Sequence, residues 1–198
     1  ILSTGLYELS EIEQTAVAMA EAGSRELALL HCITSYPTDP ADVNLAVMRQ
    51  ISEFFPGPVG YSDHTAGTAV PLAAVALGAI VLEKHITIDR DVPNAQDWKV
   101  SCDPSNLADF LRDIREIEAA RGGNAKVLAS AERDSLTWAS KSLAARRPIR
   151  SGEVLTDDAI ISQRPGDGMA PTRIDELLGK CARRDIAIGD KFSPDMVE

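Results

Sequence analysis

The fold is decided between residues 58 and 86, which read PVGYSDHTAGTAVPLAAVALGAIVLEKHI. Apolar and β-branched residues at 58–62 and 79–86 predict two buried strands. The segment between them, residues 70–77, has apolar residues at helical spacing and ends at Gly78. A strand, a helix and a second strand in this order predict a βαβ unit, because parallel strands need a crossover connection of this length.

The same rhythm continues through residues 1–122. Two more strands are predicted at 1–3 and 27–33, and further helices at 9–22, 44–54 and 104–120. Four consecutive strand–helix units imply parallel strands with right-handed crossovers, so the candidates are an open doubly wound sheet and a (β/α)8 barrel. Polar residues at several strand exits favour the barrel, since an open sheet concentrates them at one switch point. Four units would make half of such a barrel.

A second domain is predicted at residues 139–198, after a linker at 123–138, because Pro and Gly punctuate short segments there. Residues 145–160 match residues 182–197 almost position by position. In each copy a predicted strand meets a Gly turn, and Thr156 or Ser193 follows where it can cap a helical turn. The duplication predicts a small, mostly β domain with pseudo-twofold symmetry. Residues 164–168, between the copies, are predicted to form an exposed loop.

Composition restricts the partners and the compartment. The 198 residues carry a net charge of −10, which repels nucleic acids and anionic lipid surfaces. No apolar run approaches the roughly 20 residues that cross a bilayer. Three scattered cysteines without a CxxC pair predict free thiols and a cytoplasmic location. The chain opens directly on a predicted strand with no signal peptide, which is expected of a piece of a longer protein.

Two histidines follow successive predicted strands. Side chains alternate along a strand, so Ser62 shares a face with His64, and Glu83 shares a face with His85. Two imidazoles beside oxygen donors would suit a divalent cation such as Mn²⁺. On spacing alone, hydrogen-bonded wall histidines are an equally open interpretation.

The neighbouring positions have a different expected environment. Asp63 and Lys84 alternate with the two histidines and are predicted to point to the opposite face of the sheet. The third histidine, His31, lies inside an apolar strand and is predicted to be a hydrogen-bonded core residue.

Hydroxyl groups also collect at the strand exits. Ser3, Thr34, Ser35 and Ser62 form a ring that can receive a phosphate beside loop amides, although Ser and Thr are also common in loops and helix caps. The loop at residues 94–101 carries an acid, an aromatic ring and a base after the last strand. It would line a polar substrate pocket or, alternatively, pack over the barrel mouth.

Taken together, these motifs resemble the sialic acid synthase family, and they follow its order over nearly the whole chain. The resemblance rests on ILSTG (1–5), HCITSYPT (31–38), YSDHT (61–65), LAAVALGA (72–79), LEKH (82–85) and RPGDG (164–168). It implies a (β/α)8 barrel, here its carboxyl-terminal half, followed by a small antifreeze-like (SAF) domain.

The resemblance also implies an activity. The family condenses phosphoenolpyruvate with an amino-sugar aldehyde such as N-acetylmannosamine, giving N-acetylneuraminate or a related nonulosonic acid and phosphate. It implies a divalent metal, Mn²⁺ or alternatively Mg²⁺. The family's phosphate-binding lysines lie in the first half of the barrel, so this chain alone is expected to be inactive.

Nine residues receive roles by motif from this resemblance. His64 and His85 match the metal ligands, and Glu83 is expected to orient the metal site. The positions that match substrate contacts are Ser3 and Ser62 for phosphate, Thr34 beside phosphoenolpyruvate, Tyr36 and Asp97 around the sugar, and Arg164 in the partner subunit's active site. The role of Arg164 implies a domain-swapped homodimer.

One loop departs from the family pattern and leaves the sugar open. Where the family usually has Gly-Pro-Asp-His, residues 94–98 read NAQDW, so a legionaminic or pseudaminic acid is an alternative product. Two other functions are weighed: a metal-dependent barrel hydrolase that uses Asp63 with the two histidines, and a catalytically incomplete binding or dimerisation module. An effect of Arg164 on sugar affinity would favour the synthase over the module.

Overall fold

The computed structural model describes residues 1–93, 95, 97–123 and 125–198. They form two compact units, Ile1–Asn124 and Ala125–Glu198, each with its own hydrophobic core. Among the helices of the described residues, none combines the length and apolar character that a bilayer crossing needs.

The first unit alternates strands and helices as predicted. Its strands are β1 (Leu2–Ser3), β2 (Leu29–Cys32), β3 (Val59–Asp63) and β4 (Leu82–Lys84), and its helices are α1 (Leu9–Glu21), α2 (Pro40–Val43), α3 (Val47–Phe54), α4 (Ala69–Ala76) and α5 (Leu107–Arg121). The strands lie in the order β1-β2-β3-β4, and all neighbours are parallel. The predicted βαβ rhythm is therefore confirmed.

Two predicted helices begin three residues later than expected, one of them α5, which was predicted from residue 104 and begins at Leu107. The helix expected from residue 44 starts at Val47, because Asn44 takes a left-handed backbone conformation (φ 48°) where α2 ends. Asn adopts this conformation more readily than most residues.

The sheet is buried on both faces in its central strands, as a parallel sheet covered by helices requires. Leu29 and Tyr61 pack with Ile51 of α3 in the core. Close approach of β3 and β4 depends on Gly60, since a Cβ atom there would lie 2.0 Å from the carbonyl oxygen of Val81. Because all four neighbouring strands are parallel, their carboxyl ends meet at one edge of the sheet.

The second unit contains α6 (Ser130–Arg133), α7 (Leu136–Ala139) and an antiparallel pair, β5 (Ser142–Ala145) and β6 (Ile160–Gln163). The predicted linker, residues 123–138, thus includes short helices.

The predicted pseudo-twofold symmetry is confirmed by reciprocal backbone hydrogen bonds. Ile149 and Ile186, which occupy equivalent positions in the two copies, exchange N–H···O bonds of 2.9 Å. Gly152 N donates to Ala182 O at 2.7 Å, and the equivalent Gly189 N donates to Ala145 O at 2.8 Å. Both glycines have positive φ, which suits the turn predicted in each copy.

Candidate functional site

A polar cleft of about 250 Å³ opens at the carboxyl ends of the four strands. The strand register explains its composition, because Cys32 pairs with Ser62, and Ser62 with Glu83, across adjacent strands. The cleft is lined by Ser3, Gly5, Cys32, Thr34, Tyr36, Ser62, His64, Glu83 and His85. Seven of the nine residues to which roles were assigned from the sequence therefore lie together.

His64 is held firmly at the floor of this cleft. The residue is 5% exposed, and its Nδ1 lies 2.8 Å from the carbonyl oxygen of Ile33. A carbonyl oxygen only accepts, so Nδ1 carries a proton and donates it to Ile33, and Nε2 is the ring nitrogen left for another partner. The His64 carbonyl in turn accepts a 2.8 Å hydrogen bond from Thr38 N. The His64 side chain is therefore held through Nδ1, which leaves Nε2 as the nitrogen that could bind a metal.

His85 converges on His64 from the next strand. The ring centroids are 5.1 Å apart and the ring planes are nearly perpendicular, at 85°. His85 Nδ1 lies 3.4 Å from Asp97 Oδ2, so the acid predicted to contact the sugar also faces a histidine. Tyr36 covers the pair, with ring centroids 4.0 Å from His64 and 5.8 Å from His85. Burial raises the pKa of the Tyr36 phenol, which keeps it neutral.

The histidine pair fits a divalent cation as two nitrogen ligands. A metal-binding histidine usually has its second ring nitrogen on a carbonyl or carboxylate; His64 has such a hydrogen bond, and the Asp97 carboxylate lies 3.4 Å from His85 Nδ1. Within the described ranges, no group of three or more His, Cys, Asp or Glu side chains is placed to hold a metal ion. The pair would therefore leave the remaining positions to water or substrate oxygen, a mixed set that suits Mn²⁺ or Mg²⁺. The metal remains a prediction.

The hydroxyl groups are arranged less uniformly than predicted. Ser62 Oγ donates a 2.6 Å hydrogen bond to Glu83 Oε1, so its single proton is engaged by that carboxylate. Thr34 Oγ1 fills the space above Gly5, where a Cβ atom would lie 2.3 Å from it. Ser35 is not among the lining residues, and its hydroxyl donates to the Pro37 carbonyl at 3.2 Å. The proposed phosphate ring thus retains Ser3, Thr34 and Ser62.

Cys32 lines the cleft although the sequence assigned it no role there. Its Sγ lies 3.6 Å from His64 Nδ1, and burial raises the pKa of the thiol. The strand alternation that places Thr34 in the cleft also places Cys32 there, so the signal was present in the sequence. It was obscured by the apolar character of the strand.

His31 and Asp63 lie away from the cleft lining. His31 is 4% exposed and its Nε2 donates to the Val43 carbonyl at 2.6 Å, as predicted for a core histidine. Asp63 is fully buried and bonded to Lys84 and Thr65. A hydrolase that uses Asp63 as a third ligand is therefore not supported by the geometry.

Arg164 belongs to the second unit and is exposed. Its Nε donates to the Ala139 carbonyl at 3.0 Å. The loop that carries it is anchored by Ser142, whose Oγ donates to Pro165 O at 2.7 Å and accepts from Gly168 N at 2.8 Å. The predicted role of Arg164 in a partner's site remains a prediction.

The segment 94–98 is the part of the sequence that departs from the family pattern. Asn94 and Gln96 lie outside the described residues. Asp97 and Trp98 begin a short 3₁₀ helix, Asp97–Val100, which places the Asp97 carboxylate beside His85.

Comparisons with known proteins agree with this architecture. The NeuB family model matches residues 1–126, and the SAF domain model matches residues 140–198. The N,N'-diacetyllegionaminic acid synthase of Campylobacter jejuni is 38% identical over 187 residues, covering 93% of this chain and 56% of that protein. The human N-acetylneuraminate-9-phosphate synthase is 33% identical over 201 residues, covering 100% of this chain and 55% of that protein.

A solved structure gives the same result. The N-acetylneuraminic acid (sialic acid) synthetase of Leptospira borgpetersenii, in complex with citrate, matches with a TM-score of 0.61 and 34% identity, covering 68% of this chain and 47% of that one. The chain spans about half the length of the curated relatives it matches. The parallel strands and helices of the first unit are thus part of a (β/α)8 barrel, as predicted. The chain belongs to the NeuB family and carries an SAF domain after its barrel segment.

Proposed function

We propose that this chain supplies the second half of the barrel and the SAF domain of a nonulosonic acid synthase. The enzyme would condense phosphoenolpyruvate with N-acetylmannosamine, or a related amino-sugar aldehyde, and release phosphate. The observation that carries the proposal is the convergence of His64 and His85 in a hydroxyl-lined cleft at the strand ends, where their ring centroids are 5.1 Å apart. The names of its relatives support this reaction class but differ in the sugar acid they make.

The chemistry divides among the cleft residues. The methylene carbon of phosphoenolpyruvate attacks the aldehyde carbon, water adds to the cationic carbon that remains, and the tetrahedral intermediate expels phosphate. A divalent cation on His64 and His85 would polarise the aldehyde oxygen. Tyr36, as a neutral phenol above the histidines, would orient the sugar by hydrogen bonding. Asp97 would hold His85 and accept from a sugar hydroxyl.

Phosphate binding would rest on hydroxyl donors. Ser3 and Thr34 are exposed in the cleft, whereas Ser62 would have to exchange its bond to Glu83 for one to phosphate. Among the lining residues there is no Lys or Arg. Neutralising cations would therefore come from elsewhere, and for this reason we expect the isolated chain to be inactive.

The remaining assignments form part of the same proposal. Arg164, in its anchored loop, would contact substrate in a partner subunit of a domain-swapped homodimer. Free cysteines at 32, 102 and 181 agree with a cytoplasmic enzyme.

The experiment is a phosphate-release assay on a protein in which this chain follows the first half of the barrel. It uses phosphoenolpyruvate, Mn²⁺ and a panel of N-acetylated amino-sugar aldehydes, and each product is identified by mass. We expect release with one sugar, and its loss in His64→Ala and His85→Ala but not in the control Cys181→Ser. A folded protein that binds metal but releases no phosphate with any sugar would favour the binding-module alternative.

A further inference from the structure

Behind the cleft, on the opposite face of the sheet, lies a closed cluster of Asp63, Thr65 and Lys84. Lys84 Nζ donates to Asp63 Oδ2 at 2.6 Å and to the Thr65 carbonyl at 2.8 Å. Asp63 Oδ1 accepts from Thr65 N at 3.1 Å and from Thr65 Oγ1 at 2.8 Å. The Lys84 side chain is 6% exposed and the Asp63 side chain 0%. The cluster is thus buried, and both Asp63 carboxylate oxygens and the Lys84 ammonium are hydrogen-bonded.

Stability alone gives a poor reason for this cluster. Removing two charges from water costs several kcal/mol per ion, and replacing such a pair with apolar residues is often neutral or stabilising. An ion pair in this position is better explained by the geometry it imposes.

That geometry concerns the spacing of the two cleft histidines. The β3–β4 ladder ends at the pair Asp63 and Lys84, one residue before His64 and His85. Beyond that point the two strands are tied to different neighbours: the His64 carbonyl accepts from Thr38 N, and the His85 carbonyl accepts from Cys102 N, each at 2.8 Å. The strand ladder therefore stops one residue short of the two histidines.

Lys84 spans this gap. In the described part of the chain, the hydrogen bond from Lys84 Nζ to Thr65 O is the one that links β4 to the segment past His64. The Lys84 ammonium donates to the Asp63 carboxylate, one residue before His64, and to the Thr65 carbonyl, one residue after it. The residue between them is consequently held at a set position relative to β4.

We propose that Asp63 and Lys84 are positioning residues that set the separation of His64 and His85 for a shared divalent cation. That a cation binds between the two histidines rests on the proposed function, whereas the positioning of the two rings does not. The cluster neither touches substrate nor lines the cleft.

The test uses the full chain with the double variant Asp63→Asn/Lys84→Met, which removes both charges so that neither is left buried alone. Arg90→Met/Asp103→Asn is the matched control, because that ion pair lies in the same unit with a more exposed arginine, at 44%. Two readouts are taken: the NMR cross-relaxation contact between the two imidazole rings, and Mn²⁺ affinity by electron paramagnetic resonance. Circular dichroism verifies folding.

In the double variant we expect the cross-relaxation signal between the two imidazole rings to disappear, or to weaken because the rings adopt several separations. Mn²⁺ affinity should fall about 10- to 100-fold. The control should retain both properties. An unchanged ring contact in a folded double variant would overturn the inference.

Should the double variant not fold, Lys84→Arg decides the question, because it keeps the positive charge but replaces the single Nζ atom that bonds both Asp63 and Thr65 with a larger planar group. A broadened or weakened ring contact supports the inference, and an unchanged one overturns it. If the wild-type chain shows the ring contact but binds no Mn²⁺, the metal part of the proposed function fails, while the ring contact still tests the positioning role.

Discussion

The two units bury polar side chains to very different extents. Of the nine buried polar or charged residues in the described chain, eight lie in the first unit, and Ser142 is the one in the second. The second unit instead has an apolar core that includes Leu143 and Phe192, while its ion pairs, such as Arg147 with Glu153, are partly exposed. Burial of polar groups costs free energy unless each is bonded. The concentration of buried polar residues in the first unit therefore points to a functional site at its strand exits. The second unit is instead stabilised by an apolar core built from the two sequence copies.

The largest contrast is expected from breaking one ion pair in each unit. Lys84→Met leaves the Asp63 carboxylate buried without its partner and should lower the free energy of unfolding of the first unit by about 3–5 kcal/mol. Arg147→Met, in the second unit, should change stability little because its ion pairs face solvent. Urea unfolding measures both. Equal effects would contradict the comparison.

An apolar substitution in the core of the second unit should destabilise that unit and leave the first unit unchanged. Leu143 is completely buried in the duplicated core, so Leu143→Ala should cost about 2–5 kcal/mol of unfolding free energy in that unit. The ring contact between His64 and His85 should persist. Its loss, detected by NMR in this variant, would show that the two units do not behave as separate cores.

A smaller effect is expected from the backbone between β3 and β4. Gly60→Ala would place a Cβ atom 2.0 Å from the Val81 carbonyl oxygen and should cost about 1–3 kcal/mol by forcing the strands apart. Gly123→Ala is the control, since a Cβ atom at that residue would meet no other atom within 4 Å. Thermal unfolding should separate the two variants, and a Gly60→Ala protein as stable as its control would be inconsistent with the close strand approach.

The smallest effect is a pH dependence that is confined to the first unit. Burial lowers the pKa of His31 below its ordinary value of 6.5. Below about pH 6.5 the unfolded chain binds a proton that the folded chain does not, so the unfolding free energy should fall as the pH falls through this value. Denaturant unfolding at pH 7.5 and 5.5 measures the change. His31→Gln should reduce it, and an equal slope in both proteins would rule out His31 as its source.

The sequence was sufficient for the parts of the fold that depend on periodicity. The alternation of strand and helix, the shared face of Ser62 and His64, and the pseudo-twofold second unit all follow from local patterns. The start of α3 was missed because Asn44 interrupts the helix in a left-handed conformation.

What the sequence did not predict depends on strand register and on loop paths. Asp63 and Lys84 were expected on the face opposite the histidines, but their pairing requires the β3–β4 register, which no local pattern specifies. The contact between Asp97 and His85 likewise depends on the path of the loop after β4. Local pattern thus identifies the residues of the site, and long-range register determines which of them meet.

We propose that His64 and His85 form a metal-binding pair at the strand exits of the first unit. Electron paramagnetic resonance titration of Mn²⁺ into the full chain tests it most directly, with His64→Ala and His85→Ala as paired variants. We expect one bound Mn²⁺ per chain and its loss in either variant. Binding that survives both substitutions, or no binding by the folded wild-type chain, would contradict it.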